Sequence, residues 1–414
     1  MHVFTYVFLA FLALGLAVRG WLNVRQVRHV REHRDAVPEV FANAVSLDEH
    51  RKAADYTVAK ARLGRWEMLL GAVVLLAFTL GGGIDAIDGL WAQAGWPPYL
   101  LGAAVVISVM LVSALIDLPV SIYSTFVLEE RFGFNRSTPG LFVADLFKGL
   151  LLALALGTPL LLLTLWFMDA TGNWWWLWVW ALWMGFSLLM TWAYPTFIAP
   201  LFNTFSPLDD AALRERIEKL LDRCGFRSSG IFVMDGSKRS AHGNAYFTGV
   251  GQSKRIVFFD TLMKDLKPEE IEAVLAHELG HFKRRHVIKR LVVSAAMSLA
   301  ALALLGWLID ETWFYNALGI SMPSDHAALL IFLLVLPVFT WPLTPLGALF
   351  SRKHEFEADA FAAENAKASA LETALVCLYR ENASTLTPDP VHSAFYDSHP
   401  PAPVRIRRLR ELGA

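Results

Sequence analysis

The sequence predicts an all-α polytopic membrane protein of about seven transmembrane helices, with a small α+β unit on the cytoplasmic side. Three observations carry that expectation. Hydrophobic residues make up 55% of the chain and charged residues only 18%, where ordinary soluble domains run nearer a quarter charged. The apolar residues are gathered into seven long blocks. One long polar segment between the fifth and sixth blocks changes from helical to strand-like patterning and back.

The blocks cover residues 4–22, 66–84, 99–120, 149–168, 174–193, 287–309 and 327–350. Each approaches or exceeds the roughly 20 residues that a helix needs to cross the hydrocarbon. A soluble fold would have to hide all seven from water, which is the alternative they argue against. The first block has no Lys or Arg before it, and Arg19 comes late in the block. Those flanks suit a retained span with the N-terminus outside better than a cleaved signal peptide. The segment after this span carries Arg25, Arg28, Arg31, Arg34, Arg51, Lys52, Lys60, Arg62 and Arg65. The alternate connections, 85–98, 169–173 and 310–326, contain neither Lys nor Arg. They hold Asp85, Asp88, Asp169, Asp310, Glu311 and Asp325 instead. The positive-inside rule therefore puts the C-terminus in the cytoplasm. The two large polar regions, 194–286 and 351–414, then share that face.

Four regions follow: 1–193 with five spans, a cytoplasmic insert at 194–286, two further spans in 287–350, and a cytoplasmic C-terminal region at 351–414. Within the insert, 209–224 has helical periodicity with acids first, and 230–234 and 255–260 read as short strands. Residues 240–249 between them form an edge strand or a loop. Pro268, Glu269 and Glu270 mark a helix start, since proline and acids suit the first turn. A net charge of −1 gives no basis for nucleic-acid binding. Cys224 and Cys377 are the only cysteines, too few for a disulfide framework or a thiolate metal site.

The helix begun at Pro268 runs into His277-Glu278-Leu279-Gly280-His281. Positions four apart share a helical face, so two imidazoles can converge on one ion. Neutral imidazole is a good Zn²⁺ ligand. Glu278 stands where it could take a proton from a bound water. A catalytic zinc site wants a third protein ligand and an open position. His286, five residues on, falls off the metal-binding face. Past the last span, Glu355 and Asp359 are again four apart; one could bind the ion while the other orients a histidine. Glu357 is expected to face solvent. His242, His392 and His399 carry no signal of their own, and Asn244 reads as a turn residue or as part of an edge strand able to take an extended peptide.

The segments His277–His281, Glu355 with Asp359, and Asp397-Ser398-His399-Pro400-Pro401 followed by Arg405 resemble the type I CAAX prenyl endopeptidases. These are integral-membrane zinc proteases. The stretches 121–135, 198–203 and 238–247 are similar as well, so the resemblance covers most of the chain from about Val120 onward. It implies a zincin-like metalloprotease unit whose membrane helices enclose a large chamber. It further implies one Zn²⁺ per chain held by His277, His281 and Glu355, with Glu278 as catalytic base and Asp359 supporting a ligand histidine. Asn244 and Ala245 would hold substrate backbone, and His399 and Arg405 would line the cleft, His399 as a second catalytic group. Gly243 departs from the family, where many members have Ser. The implied reaction removes the C-terminal tripeptide of prenylated proteins. The partners are then a peptide or protein substrate and the lipid bilayer, with no nucleic acid. Short termini without retention or sorting signals favour a bacterial inner membrane over the endoplasmic reticulum.

Three other readings compete. A heat-shock-type quality-control metalloprotease would share the zinc chemistry but take broad substrates. A site-2-type protease would carry its histidines inside a span, whereas here Lys267 to Glu270 and Lys283 to Arg285 flank them with charge. A transporter or channel with a non-catalytic zinc site would carry ionisable residues within its spans, and these spans have few beyond Asp117.

Overall fold

A computed structural model describes residues 2–248 and 253–413. Six of its helices are long and apolar enough to span a bilayer: Val3–Glu32, Pro98–Glu129, Pro139–Ala170, Gly172–Phe202, His286–Leu308 and Asp325–Asn365. A seventh span is formed by Leu47–Phe78 and Gly83–Ala92, bent by 49° at a short break. Every expected block falls in one of these. The bend occupies the second block, where Gly82 takes a left-handed φ of +73° that a side chain would resist. The helix before it starts on a capping box: Ser46 Oγ accepts from the Glu49 amide, and the Glu49 carboxylate accepts from the Ser46 amide at 2.7 Å. The spans close on a buried apolar cluster that includes Phe8, Val105, Leu305, Tyr315 and Ile331. Outward faces keep residues such as Trp66, Val73, Leu115 and Val292 exposed, which a bilayer solvates.

The α+β unit holds a four-stranded sheet in the order β1-β2-β4-β3. Its strands are β1 (Phe205–Pro207), β2 (Arg227–Met234), β3 (Ala245–Thr248) and β4 (Ser253–Phe259). β2 and β4 run parallel, and β1 and β3 are antiparallel edges. β1 had no sequence signal, because three residues ending in proline show no alternation. β2 begins earlier than its apolar residues indicate, through Arg227 and Ser228. β3 supplies the expected edge strand from the segment 240–249; Gly249 itself lies outside the described residues. Helix Ala211–Cys224 buries Ile217, Leu220 and Leu221 against the sheet unit.

Helix Pro268–Lys283 opens with proline in its first turn, and the Glu270 carboxylate caps the Lys267 amide at 2.8 Å. It buries Ile271, Leu275 and Leu279 with Phe361 and Ala362 from helix Thr344–Asn365. The two helices touch at backbone range: a Cβ on Gly280 would lie 3.0 Å from the Ala358 Cα and 3.2 Å from its carbonyl oxygen. After Lys283 the chain reverses through Arg285, at φ +57°, before His286 starts the next span.

Polar ties gather the sequence-distant pieces on one face. Arg25, from the first span's extension, grips Asp389 with two hydrogen bonds of 3.2 and 2.9 Å. Tyr56 donates to Glu129 at 2.6 Å, and Arg239 joins Asp145 and Asn203. Arg352, on the Thr344–Asn365 helix, donates to the Ser393 and Asp397 carbonyls.

Because Gly280 permits the helix contact, Gly280→Val should push the helices apart. Overpacking of this kind costs about 1–3 kcal/mol, so the thermal unfolding midpoint in detergent should fall by several degrees. An unchanged midpoint would mean that the contact is loose.

Candidate metal centre

The close packing at Gly280 brings two helical faces together. One carries His277 and His281, the other Glu355 and Asp359. His277 Nε2 lies 3.3 Å from His281 Nε2, and each lies 3.4 Å from an oxygen of Glu355. An ion 2.0–2.1 Å from each donor at tetrahedral angles requires donors roughly 3.3 Å apart. The triangle therefore has the size of a zinc site. His277 and Glu355 are buried, and Glu355 Oε2 has no hydrogen-bond partner among the described residues. A buried carboxylate oxygen without a donor is costly unless a cation meets it. The donor set, two imidazoles and one carboxylate, is that of a catalytic zinc site with an open position.

The field around the triangle favours a cation. Burial works against a positive charge on His277, but Asp359 and Glu355 outweigh it and lift its pKa to about 9. Burial and the neighbouring His277 push His281 down to about 3, leaving its lone pair free at neutral pH. Burial also lifts the Glu278 carboxyl above its ordinary range. No protein hydrogen bond engages Glu278 among the described residues.

Both imidazoles are held from behind. His277 Nδ1 donates to Asp359 Oδ1 at 2.9 Å, which directs Nε2 at the triangle. Asp359 is in turn clamped by Arg405 through bonds of 2.6 and 2.9 Å. Arg405 was expected to line the cleft; it is 5% exposed, and its guanidinium faces Asp359, His277 and Glu355. On the other side, His281 Nδ1 lies 3.0 Å from His286 Nδ1, and His286 Nε2 lies 2.9 Å from Glu357. Sequence reasoning missed this pair. Helical spacing continued past His281 puts His286 off the metal-binding face, but the helix ends at Lys283 and the turn at Arg285 folds His286 back under His281. Glu357, expected to face solvent, is partly buried against His286. The one available signal was the five-residue spacing from His281, which excludes a shared face only if the helix continues.

The remaining candidates are more peripheral. His399 Nε2 lies 3.4 Å from Glu355 Oε1 with its side chain largely exposed, so it stands at the mouth of the site. Asn244 precedes β3 and Ala245 begins it; the Asn244 carbonyl accepts from the Phe259 amide at 3.0 Å. Among the described residues no hydrogen bond links either to the triangle. His242 stacks on Phe134 and meets Asn382, a packing role between segments. His392 lies within the short helix Pro390–Tyr396, beside Tyr396.

Comparison with known proteins agrees with this architecture. Residues 26–204 match the family model described as CAAX prenyl protease N-terminal, five membrane helices, and residues 207–413 match peptidase family M48. The chain is 34% identical to CAAX prenyl protease 1 of Saccharomyces cerevisiae, covering 94% of this chain and 91% of the relative. It is 35% identical to the Arabidopsis thaliana homolog, over 94% and 93% of the two chains. The human homolog is 30% identical over 98% and 96%. The crystal structure of S. mikatae Ste24p superposes with a TM-score of 0.90 at 32% identity, covering 99% of each chain. The chain belongs to the CAAX prenyl protease group of peptidase family M48 and is an integral-membrane zinc metalloendopeptidase.

Proposed function

We propose that His277, His281 and Glu355 hold one Zn²⁺ per chain and that Glu278 is the catalytic base. The observation that carries this is the triangle of donor atoms, with a buried carboxylate oxygen that accepts no hydrogen bond among the described residues. Zinc, when bound, polarises the scissile carbonyl and acidifies a water. Glu278 would take the proton from the attacking water as it adds to the carbonyl carbon, and would later deliver it to the departing amine nitrogen. Asp359, oriented by Arg405, fixes the tautomer of His277. His286, oriented by Glu357, does the same for His281. His399, at the mouth, is placed to hydrogen-bond the reacting carbonyl oxygen. Asn244 and Ala245 stand at the head of the exposed edge β3, where an extended substrate could add as a further strand.

For substrate we propose the C-terminal tripeptide of prenylated proteins, released at the cytoplasmic face from a chamber among the membrane helices. The names of the relatives support this; the alternative is broad cleavage of unmodified hydrophobic peptides. The relatives described above come from yeast, plant and human sources, so they lend the bacterial inner membrane no support and leave the endoplasmic reticulum as the better-supported location.

The Glu278→Gln protein should keep a full complement of zinc while its turnover falls by at least about three orders of magnitude, a loss typical of removing a group essential to the chemical step. Cleavage by a zinc-loaded Glu278→Gln protein would end the assignment. Glu355→Ala should lose the ion on dialysis. His286→Ala should weaken zinc binding about 10–100-fold, as for other outer partners of metal ligands, measured by competition with a chelator. A farnesylated CAAX peptide and its unmodified counterpart, assayed side by side, separate the two substrate readings: strong preference for the farnesylated peptide is expected, and equal rates would favour broad specificity.

A further inference from the structure

Of the seven arginines from Arg25 to Arg65, three hold a carboxylate closely. Arg25 holds Asp389, Arg34 holds Asp55 and Arg51 holds Asp35. The other four share one groove. Arg28 and Arg31 from the first helix face Arg62 and Arg65 from the second across about 340 Å³, beside Val24 and Val27. Arg31, Arg62 and Arg65 have no hydrogen bond or ion pair among the described residues. Arg28 has only Glu32, at 3.8 Å, and Glu32 is the one acid lining the groove. Four guanidiniums against one acid leave an excess of positive charge in the groove, and an anion there would relieve the repulsion.

The depth of the groove names the anion. Arg65 immediately precedes Trp66, where the apolar part of the second helix begins. Arg28 lies six residues, roughly 9 Å, past Leu22, where that of the first helix ends. Arg62 and Arg65, within roughly 6 Å of the start of the second helix's apolar part, therefore sit at the level of lipid headgroups, and the long side chains of Arg28 and Arg31 face them across the groove. Trp66, 70% exposed, marks the same interface. Arg62 also lines a second groove, of about 520 Å³, which runs along Trp66, Pro119, Val120 and Tyr123 and is mainly apolar. A phosphate on Arg62 would thus have a mainly apolar track beside it, which suits an acyl chain; Arg131 is the other charged residue lining it.

We infer that the Arg28, Arg31, Arg62 and Arg65 groove is a binding site for the headgroup of an anionic phospholipid in the leaflet on the peptidase side, with an acyl chain along the Trp66 and Tyr123 groove. Basic pockets between transmembrane helices on that side bind such headgroups elsewhere. The site is separate from the metal centre and does not rest on the proposed substrate.

The test is native mass spectrometry of the full-length protein equilibrated in mixed micelles with equal amounts of phosphatidylcholine and phosphatidylserine. Retained lipid should be predominantly phosphatidylserine. Each near-surface arginine is worth roughly fivefold in affinity, so Arg62→Gln should cut the preference about fivefold. Arg407→Gln, an exposed charge on the C-terminal helix, should leave it unchanged. The four-fold Arg→Gln variant should bind the two lipids equally; if that variant does not fold, Arg62→Gln and Arg65→Gln separately carry the test. Equal retention of both lipids by the unaltered protein, or equal effects of Arg62→Gln and Arg407→Gln, would overturn the site. Displacement of the lipid by millimolar inorganic phosphate would overturn the lipid as ligand and assign the groove to free phosphate.

Discussion

The contact between helix Pro268–Lys283 and helix Thr344–Asn365 is the constraint on which the site depends. Two imidazoles from one and a carboxylate from the other must stand about 3.4 Å apart, and that spacing requires the backbones to touch. Gly280 provides it, because the missing Cβ leaves room for Ala358. The glycine of the motif is therefore structural. Burying Leu275 and Leu279 with Phe361 supplies the apolar surface that holds the approach. The membrane helices and the sheet bring these two segments, some 80 residues apart in sequence, to the same face.

Around that contact the protein fixes its ligands from outside. Each histidine presents Nε2 to the centre because Nδ1 is engaged elsewhere: on Asp359 for His277, and on His286 for His281. The two supports differ in kind. Asp359 is fully buried and bound by Arg405, a bidentate pair that compensates the charge it contributes. The His286 and Glu357 pair places a ring between the carboxylate and His281. Arg352 and Arg25 tie the C-terminal segment that carries His399 to the same framework.

Much of this was legible in the chain. Long apolar runs locate the spans because each must satisfy the same bilayer thickness, and the histidines declare themselves because helical spacing puts both on one face. Glu355 could be proposed, but the residues alone could not choose between it and Asp359, since both occupy the same helical stripe. What the sequence hid depends on the chain leaving regular geometry. His286 reaches His281 only through the left-handed turn at Arg285, and β1 is too short to show alternation. Arg405 reads as a cleft residue when its burial is unknown; its contact with Asp359 joins segments 46 residues apart. The bend in the second span likewise follows from Gly82, within a block that reads as one continuous apolar run.

X-ray absorption at the zinc edge of the purified protein tests the account most directly. One ion per chain with two imidazole nitrogens and carboxylate and water oxygens at about 2.0–2.1 Å is the expected spectrum, with the carboxylate oxygen contribution altered in Glu355→Ala. A sulfur shell, a third imidazole, or a stoichiometric ion whose spectrum ignores Glu355→Ala would contradict it.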